Sequence, residues 1–154
     1  MSIRRAVAAD VPAITAIVQE AYAPYIPRIG RKPAPMLDDY AAQVRDGVAW
    51  VLDADGSVAG VVVLLDQPDH LLIHNVAVGS RHRGIGAGRD LLRFAEAEAA
   101  RRGFAEVRLY TNETMVENIA LYGRIGYVET GRGGQSGFRR VFFRKALAGG
   151  GAAK

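Results

Sequence analysis

Residues Arg81-His82-Arg83-Gly84-Ile85-Gly86-Ala87-Gly88-Arg89 constrain the fold more than any other part of the chain. Before them, His70 to Val78 reads as a strand. After them, Leu91, Leu92, Ala95 and Ala99 recur at helical spacing to about Arg102, where Gly103 stops the pattern. A glycine-rich turn that leaves a strand and opens a helix belongs to a sheet crossed by helices. It also suits an anion. Amides at a helix start have no partner within the helix, and the helix dipole favours negative charge there. Glycine lets a phosphate approach the backbone without Cβ interference, and arginine adds charge-assisted bonds.

Two familiar phosphate motifs fail on inspection. A Walker A loop requires Gly-Lys-Ser/Thr, a tripeptide the chain lacks. A dinucleotide fingerprint requires glycine or alanine three places after its second glycine. From Gly84 and Gly86 that place is Arg89; from Gly86 and Gly88 it is Leu91.

The remaining elements follow from periodicity and punctuation. Ile3 to Val7 reads as a strand, and Asp10 as the N-cap of an amphipathic helix carrying Val11, Ile14, Ile17, Val18 and Ala21 to about Tyr22. Pro24, Pro27, Gly30, Pro33 and Pro35 predict a long loop without regular structure. Residues 36–46 read as a short helix ended by Gly47. Residues 48–52 and 57–65 read as a hairpin about Asp53-Ala54-Asp55-Gly56. Glu106 to Tyr110 is a strand, and Thr114 to Glu117 matches a capping box for a helix that ends at Gly126. Residues 127–130 and 138–144 are two last strands. The order of hairpin and helix-crossed strands predicts a mixed sheet in an α/β (α+β) domain.

At 154 residues the chain suits one domain, placed at 1–145, with the small, glycine-rich 146–154 expected as a disordered tail. It has no cysteine, which excludes disulfides, thiolate metal sites and a cysteine nucleophile, and favours a reducing cytoplasm. No apolar run reaches the roughly 18 residues of a membrane span, and the start lacks the apolar core of a secretory signal, so no membrane partner is expected. Twenty basic against sixteen acidic residues give +4, enough to favour anionic ligands but too little to indicate nucleic acid. His70, His74 and His82 form no convincing metal set.

Arg83-Gly84-Ile85-Gly86-Ala87-Gly88, followed by Leu91-Leu92, resembles the acetyl-CoA signature of the GNAT superfamily of N-acetyltransferases, Gln/Arg-x-x-Gly-x-Gly/Ala. Arg81 to Gly86 is an alternative register. Asn118-Ile119-Ala120-Leu121-Tyr122 with Gly126-Tyr127 resembles the second signature of that family in compressed form. Residues 25–36 and 109–127 are similar to bacterial members. The resemblance implies a mostly antiparallel sheet of about seven strands flanked by about four helices and splayed between strands 4 and 5. It also implies acetyl-CoA as the acetyl donor, held by Val76, Ala77, Val78, Arg83 to Arg89 and Asn118. Tyr122 is implied as proton donor to the departing thiolate, a role a positioned phenol can fill. The amine attacks the thioester directly in a ternary complex. Homodimers are common among relatives, and no residue here demands one.

Many relatives carry a glutamate at about the position of His74, so the base that deprotonates the amine stays open between His74, Glu113 and water. Tyr22, Tyr25, Arg28 and Arg31 lie where the family walls its acceptor pocket, and Tyr110 joins them. An arginine there suits a carboxylate, which suggests a small, amino-acid-like primary amine. Two other readings stand beside this one: acetylation of a protein or peptide amine, and a sensor that binds acetyl-CoA without catalysis.

Overall fold

The computed structural model describes residues 2–84, 86–135 and 137–147. Seven strands form one sheet: β1 (Ser2–Arg5), β2 (Ala49–Ala54), β3 (Ser57–Asp66), β4 (Leu71–Val78), β5 (Glu106–Asn112), β6 (Val128–Gln135) and β7 (Phe138–Ala146). Their spatial order is β1-β2-β3-β4-β5-β7-β6, and only β4 and β5 run parallel. The β2–β3 hairpin turns through Asp55 at φ 54° and Gly56 at φ 89°, the left-handed pair that matches strand twist.

Helices cover both faces. α4 (Ala87–Arg101) and α5 (Val116–Arg124) bury Leu91, Leu92, Ala95, Ala99 and Tyr122 against Val62, Leu64, Ile73, Val107 and Phe143. On the other face α1 (Val11–Tyr22) and α3 (Tyr40–Arg45) bury Ile14, Ile17, Val18 and Tyr40 against Val51, Val61, Val63 and Ala77. Gly60 permits close approach on the α4 face. A Cβ there would lie 2.9 Å from both the Ala77 carbonyl oxygen and Leu91 Cδ1.

An irregularity in β4 organises the centre. Val63 of β3 pairs with Asn75 and Leu64 with Ile73, so His74 is an extra residue, a bulge. It reverses the alternation of side chains. Leu71 and Ile73 join the α4 face, whereas Ala77, four residues after Ile73, joins the α1 face and Val76 and Val78 turn toward α4. Pairing of β4 with β5 covers only Leu71–Ile73, opposite Val107–Leu109. From His74 onward the strands diverge, which is the splay expected between strands 4 and 5.

Four local expectations change. The proline-rich segment is helical in short pieces: a 3-10 turn at Ala23–Tyr25, α2 (Ile26–Ile29) and a 3-10 turn at Ala34–Leu37. Pro24, Pro27 and Pro35 each occupy a first-turn position, where no amide is needed, so they start turns without breaking them. Asp10 makes no capping bond into α1; buried, it accepts from Arg4 and from the Val7 amide at 2.8 Å. The Thr114–Glu117 capping box does not form. Met115 is the N-cap, Thr114 donates through N and Oγ1 to Asn112 Oδ1, and Glu117 faces Arg28. At the far end β7 extends through Ala146, and the Leu147 amide donates to Ala105 O. Residues 148–154 of the expected tail lie outside the described residues.

Candidate active site

Two adjacent spaces lie at the splay between β4 and β5. One is a long groove lined by Val76, Ala77, Val78, Arg83, Gly84, Gly86, Ala87, Gly88, Arg89, Asn118 and Tyr122, with Tyr22, Tyr25 and Arg28 opposite. Every cofactor-binding residue expected from the sequence lines it, except Ile85, which lies outside the described residues. The second is a pocket between the proline-rich segment and β4, β5 and β7. Tyr22, Val76, Asn118 and Tyr122 line both, so the two spaces meet at these side chains.

The groove fits a phosphorylated ligand at one end. The first bond of α4 runs from the Asp90 amide to Gly86 O, leaving the amides of residues 87–89 without a partner inside the helix. Among the described residues no side chain caps them. Gly84 and Gly86 turn at φ 82° and 86°, and a Cβ at either would meet only open space, so the glycines serve backbone conformation and access rather than packing. Arg83 and Arg89 line the same end. The turn is tied to α1 from behind: Glu20 accepts from Ser80 N at 2.7 Å and Ser80 Oγ at 3.0 Å. Coenzyme A carries the pyrophosphate such a site requires and a long arm for the rest of the groove, so the residues present fit it.

Tyr122 stands where the spaces join. It is 7% exposed, and its ring is wedged against Tyr127 at 5.8 Å and Phe143 at 5.6 Å. Burial pushes its hydroxyl up to about pKa 12, so it is a phenol, not a phenolate, at neutral pH. Asn118 lies one turn earlier on the same face of α5. Across the junction Tyr22 donates to Asn75 Oδ1 at 2.7 Å, and burial raises its hydroxyl well above the ordinary tyrosine value.

The remaining candidates separate. His74 and Tyr110 line the second pocket, with 3.4 Å between His74 Nδ1 and the Tyr110 hydroxyl. Glu113 lines neither space; it accepts from Arg139 at 2.9 Å. Arg28 faces the groove, not the second pocket. Its guanidinium is held bidentately by Glu117 at 2.9 Å and 2.9 Å and also donates to Thr114 O, so it staples α2 to α5. Arg31 lines neither space and lies over the Phe138 ring at 4.3 Å, bridging the proline-rich segment to β7.

Three residues escaped the sequence reading. Asp38 Oδ2 lies 2.8 Å from His74 Nε2. Buried Asn75 connects Tyr22 to Tyr40. Arg140 of β7 lines the second pocket, 4.2 Å over the Tyr110 ring. No local motif marks any of them, since each meets its partner across the fold. Among the described residues no Asp or Glu lines this pocket. No group of three or more His, Cys, Asp or Glu among the described residues is placed to hold a metal.

Residues 14–127 match the model of the Acetyltransferase (GNAT) family. The chain is 33% identical over 88 residues to N-acetyltransferase family 8 member 3 of Rattus norvegicus, covering 53% of this chain and 39% of the relative. It therefore spans well under half the length of that curated relative. Of solved structures, the ribosomal-protein-alanine N-acetyltransferase from Brucella melitensis is 26% identical with a TM-score of 0.71, covering 96% of this chain and 100% of that one. A PaiA N-acetyltransferase from Thermoplasma acidophilum, solved with coenzyme A, shares the fold at a TM-score of 0.79 and 14% identity, covering 95% and 98%.

Proposed function

The chain belongs to the acetyltransferase (GNAT) family, and from that premise we propose that it moves an acetyl group from acetyl-CoA to the primary amine of a small, amino-acid-like acceptor. The observation that carries this reading is the meeting of the groove and the second pocket at Tyr22, Val76, Asn118 and Tyr122. A ligand anchored by its phosphates at the α4 start and another seated beneath the proline-rich segment reach each other only there.

Bound in the groove, acetyl-CoA supplies an activated thioester at this junction. The chain contributes placement and proton traffic. The amides of residues 87–89, with Arg83 and Arg89, anchor the phosphates. The free edge of β4 at Val76 to Val78 and the Asn118 side chain hold the arm, and an amide on that edge stabilises charge developing on the acetyl oxygen. Tyr122 passes its hydroxyl proton to sulfur as the carbon–sulfur bond breaks. It recovers a proton from the newly acylated nitrogen.

The acceptor class follows from the pocket lining. Ile29, Pro33, Ile73, Leu109 and Phe138 are apolar, Arg140 adds a guanidinium, and the absence of a described carboxylate disfavours polycations such as polyamines and aminoglycosides. An apolar amine with a carboxylate directed at Arg140 fits this chemistry.

Acetylation of a protein amine is the second reading, favoured by the likeness to a ribosomal-protein-alanine N-acetyltransferase. Thiol release from acetyl-CoA, measured across amino acids, their decarboxylated counterparts, polyamines and peptide N-termini, separates the two. The proposal expects carboxylated small amines to give the highest kcat/KM. Faster turnover of peptides than of every small amine establishes the second reading instead. Binding of coenzyme A with no turnover of any acceptor leaves a sensor.

A further inference from the structure

We infer that Asp38 is a positioning residue that fixes the ring of His74 so that His74 Nδ1 accepts the proton of the incoming ammonium. The inference rests on the proposed acetyl transfer and adds the base that this transfer lacks.

Geometry sets the tautomer. Asp38 Oδ2 lies 2.8 Å from His74 Nε2. An ionised carboxylate only accepts, so the neutral imidazole carries its hydrogen on Nε2 and keeps its lone pair on Nδ1. The bulge at His74 sends the ring into the second pocket, and Nδ1 faces the pocket-lining Tyr110 hydroxyl at 3.4 Å. That bond is long enough for an acceptor nitrogen to compete with the phenol for Nδ1.

Asp38 is itself held. Gln43 of α3 donates to the same oxygen at 3.2 Å, and Tyr40 donates to Pro35 O at 2.6 Å, closing the turn that carries Asp38. Asn75, next to His74 on β4, donates to the Tyr40 hydroxyl at 2.9 Å. Two bonds therefore join the β4 bulge to one short segment, residues 35–43: His74 to Asp38, and Asn75 to Tyr40. A structural ion pair alone does not require the free nitrogen to face a pocket. Among the described residues the charged or titratable groups that contact His74 or share its pocket are Asp38 before α3, Tyr22 on α1, Tyr110 on β5, Tyr122 on α5 and Arg140 on β7, which covers the Tyr110 ring at 4.2 Å.

The step balances within the site. An N–H bond of the ammonium breaks, its electron pair stays on nitrogen as the nucleophile, and the proton bonds to Nδ1. The imidazolium so formed is countered by Asp38, and its proton leaves to solvent after the product departs.

The test combines rate with a readout independent of turnover. With 15N-labelled histidine, long-range proton–nitrogen NMR reports the tautomer of each ring, and His74 is assigned by its loss in His74→Gln. The neutral wild-type ring is expected as the Nε2–H form. Asp38→Ala is expected to mix the tautomers and lower kcat about tenfold, whereas Asp38→Asn, which keeps an acceptor, restores the tautomer and part of the rate. His74→Gln is expected to lower kcat roughly 10²-fold and abolish the ascending limb of the pH–rate profile, at unchanged coenzyme A affinity. A wild-type Nδ1–H tautomer overturns the inference, as does an ascending limb that survives in His74→Gln. If no amine is acetylated by any variant, the proposed transfer fails, while the tautomer still decides what Asp38 does to His74.

Discussion

Replacing Tyr122 by phenylalanine removes one oxygen from the meeting point of the two spaces and leaves the rest in place. The ring contacts with Tyr127 and Phe143 survive, because they belong to the ring and not the hydroxyl. The hydroxyl has no hydrogen-bond partner among the described residues, so its loss is expected to change stability by less than about 1 kcal/mol. Catalysis is expected to suffer far more. A pKa of about 12 keeps the phenol protonated throughout the working range. Full transfer from such a phenol to a thiolate with a solution pKa near ~8.5 runs uphill, which limits its effect. The same burial raises the thiolate beside it, which narrows the gap. We therefore expect the lower end of the range for acid catalysis, a fall of about 10² in kcat, or roughly 2.7 kcal/mol of barrier. Thiol release with a chromogenic reagent gives kcat, calorimetric titration gives coenzyme A affinity, and thermal melting gives stability. The wild-type pH–rate profile should show no descending limb assignable to Tyr122 below about pH 10. A variant that retains a third or more of the wild-type kcat refutes proton donation by Tyr122.

Three further outcomes follow from particular contacts. Gly86→Val places a β-branched residue at φ 86°, a strained conformation that shifts the amides beside it, and should weaken coenzyme A binding at least tenfold; unchanged calorimetric affinity contradicts the anchoring role. Gly60→Ala drives a methyl to 2.9 Å from Ala77 O and Leu91 Cδ1 and should cost about 1–3 kcal/mol in urea unfolding; a loss under about 0.5 kcal/mol shows that β3 and α4 yield freely. Glu98 is buried on α4, and its bonds to Arg101 and then Arg102 hold it down at about pKa 2 from 4.5. A depressed carboxylate contributes its stability above about pH 4.5 and loses it as pH falls toward 2, so Glu98→Gln should cost on the order of 2 kcal/mol at pH 7 and flatten that part of the acid limb. Parallel stability–pH curves for the two proteins contradict this.

What the sequence discloses here is local, and what it conceals is long-range. The strand–turn–helix about Gly84 to Gly88 is legible because its periodicity changes within a few residues and glycine has few other reasons to cluster. Asn118 and Tyr122 are legible because four residues of helix place them on one face. The bulge at His74 is not, since it is defined only by pairing with Val63 and Leu64. Asp38 lies 36 residues from His74, and its neighbour Asp39 gives the pair an ordinary explanation as a helix start, which Asp39 indeed caps. Glu117 matches a capping box by spacing, yet Arg28, 89 positions away, takes its carboxylate. The prolines mislead for a related reason: their effect depends on whether they fall in the first turn or the interior of a helix, and density alone does not distinguish these.

A crystal of the chain grown with coenzyme A tests the central claim most directly. The account predicts pyrophosphate oxygens on the amides of residues 87–89 and the sulfur within hydrogen-bonding reach of the Tyr122 hydroxyl, where groove and pocket join. A ligand seated elsewhere, or one whose sulfur points away from Tyr122, contradicts it.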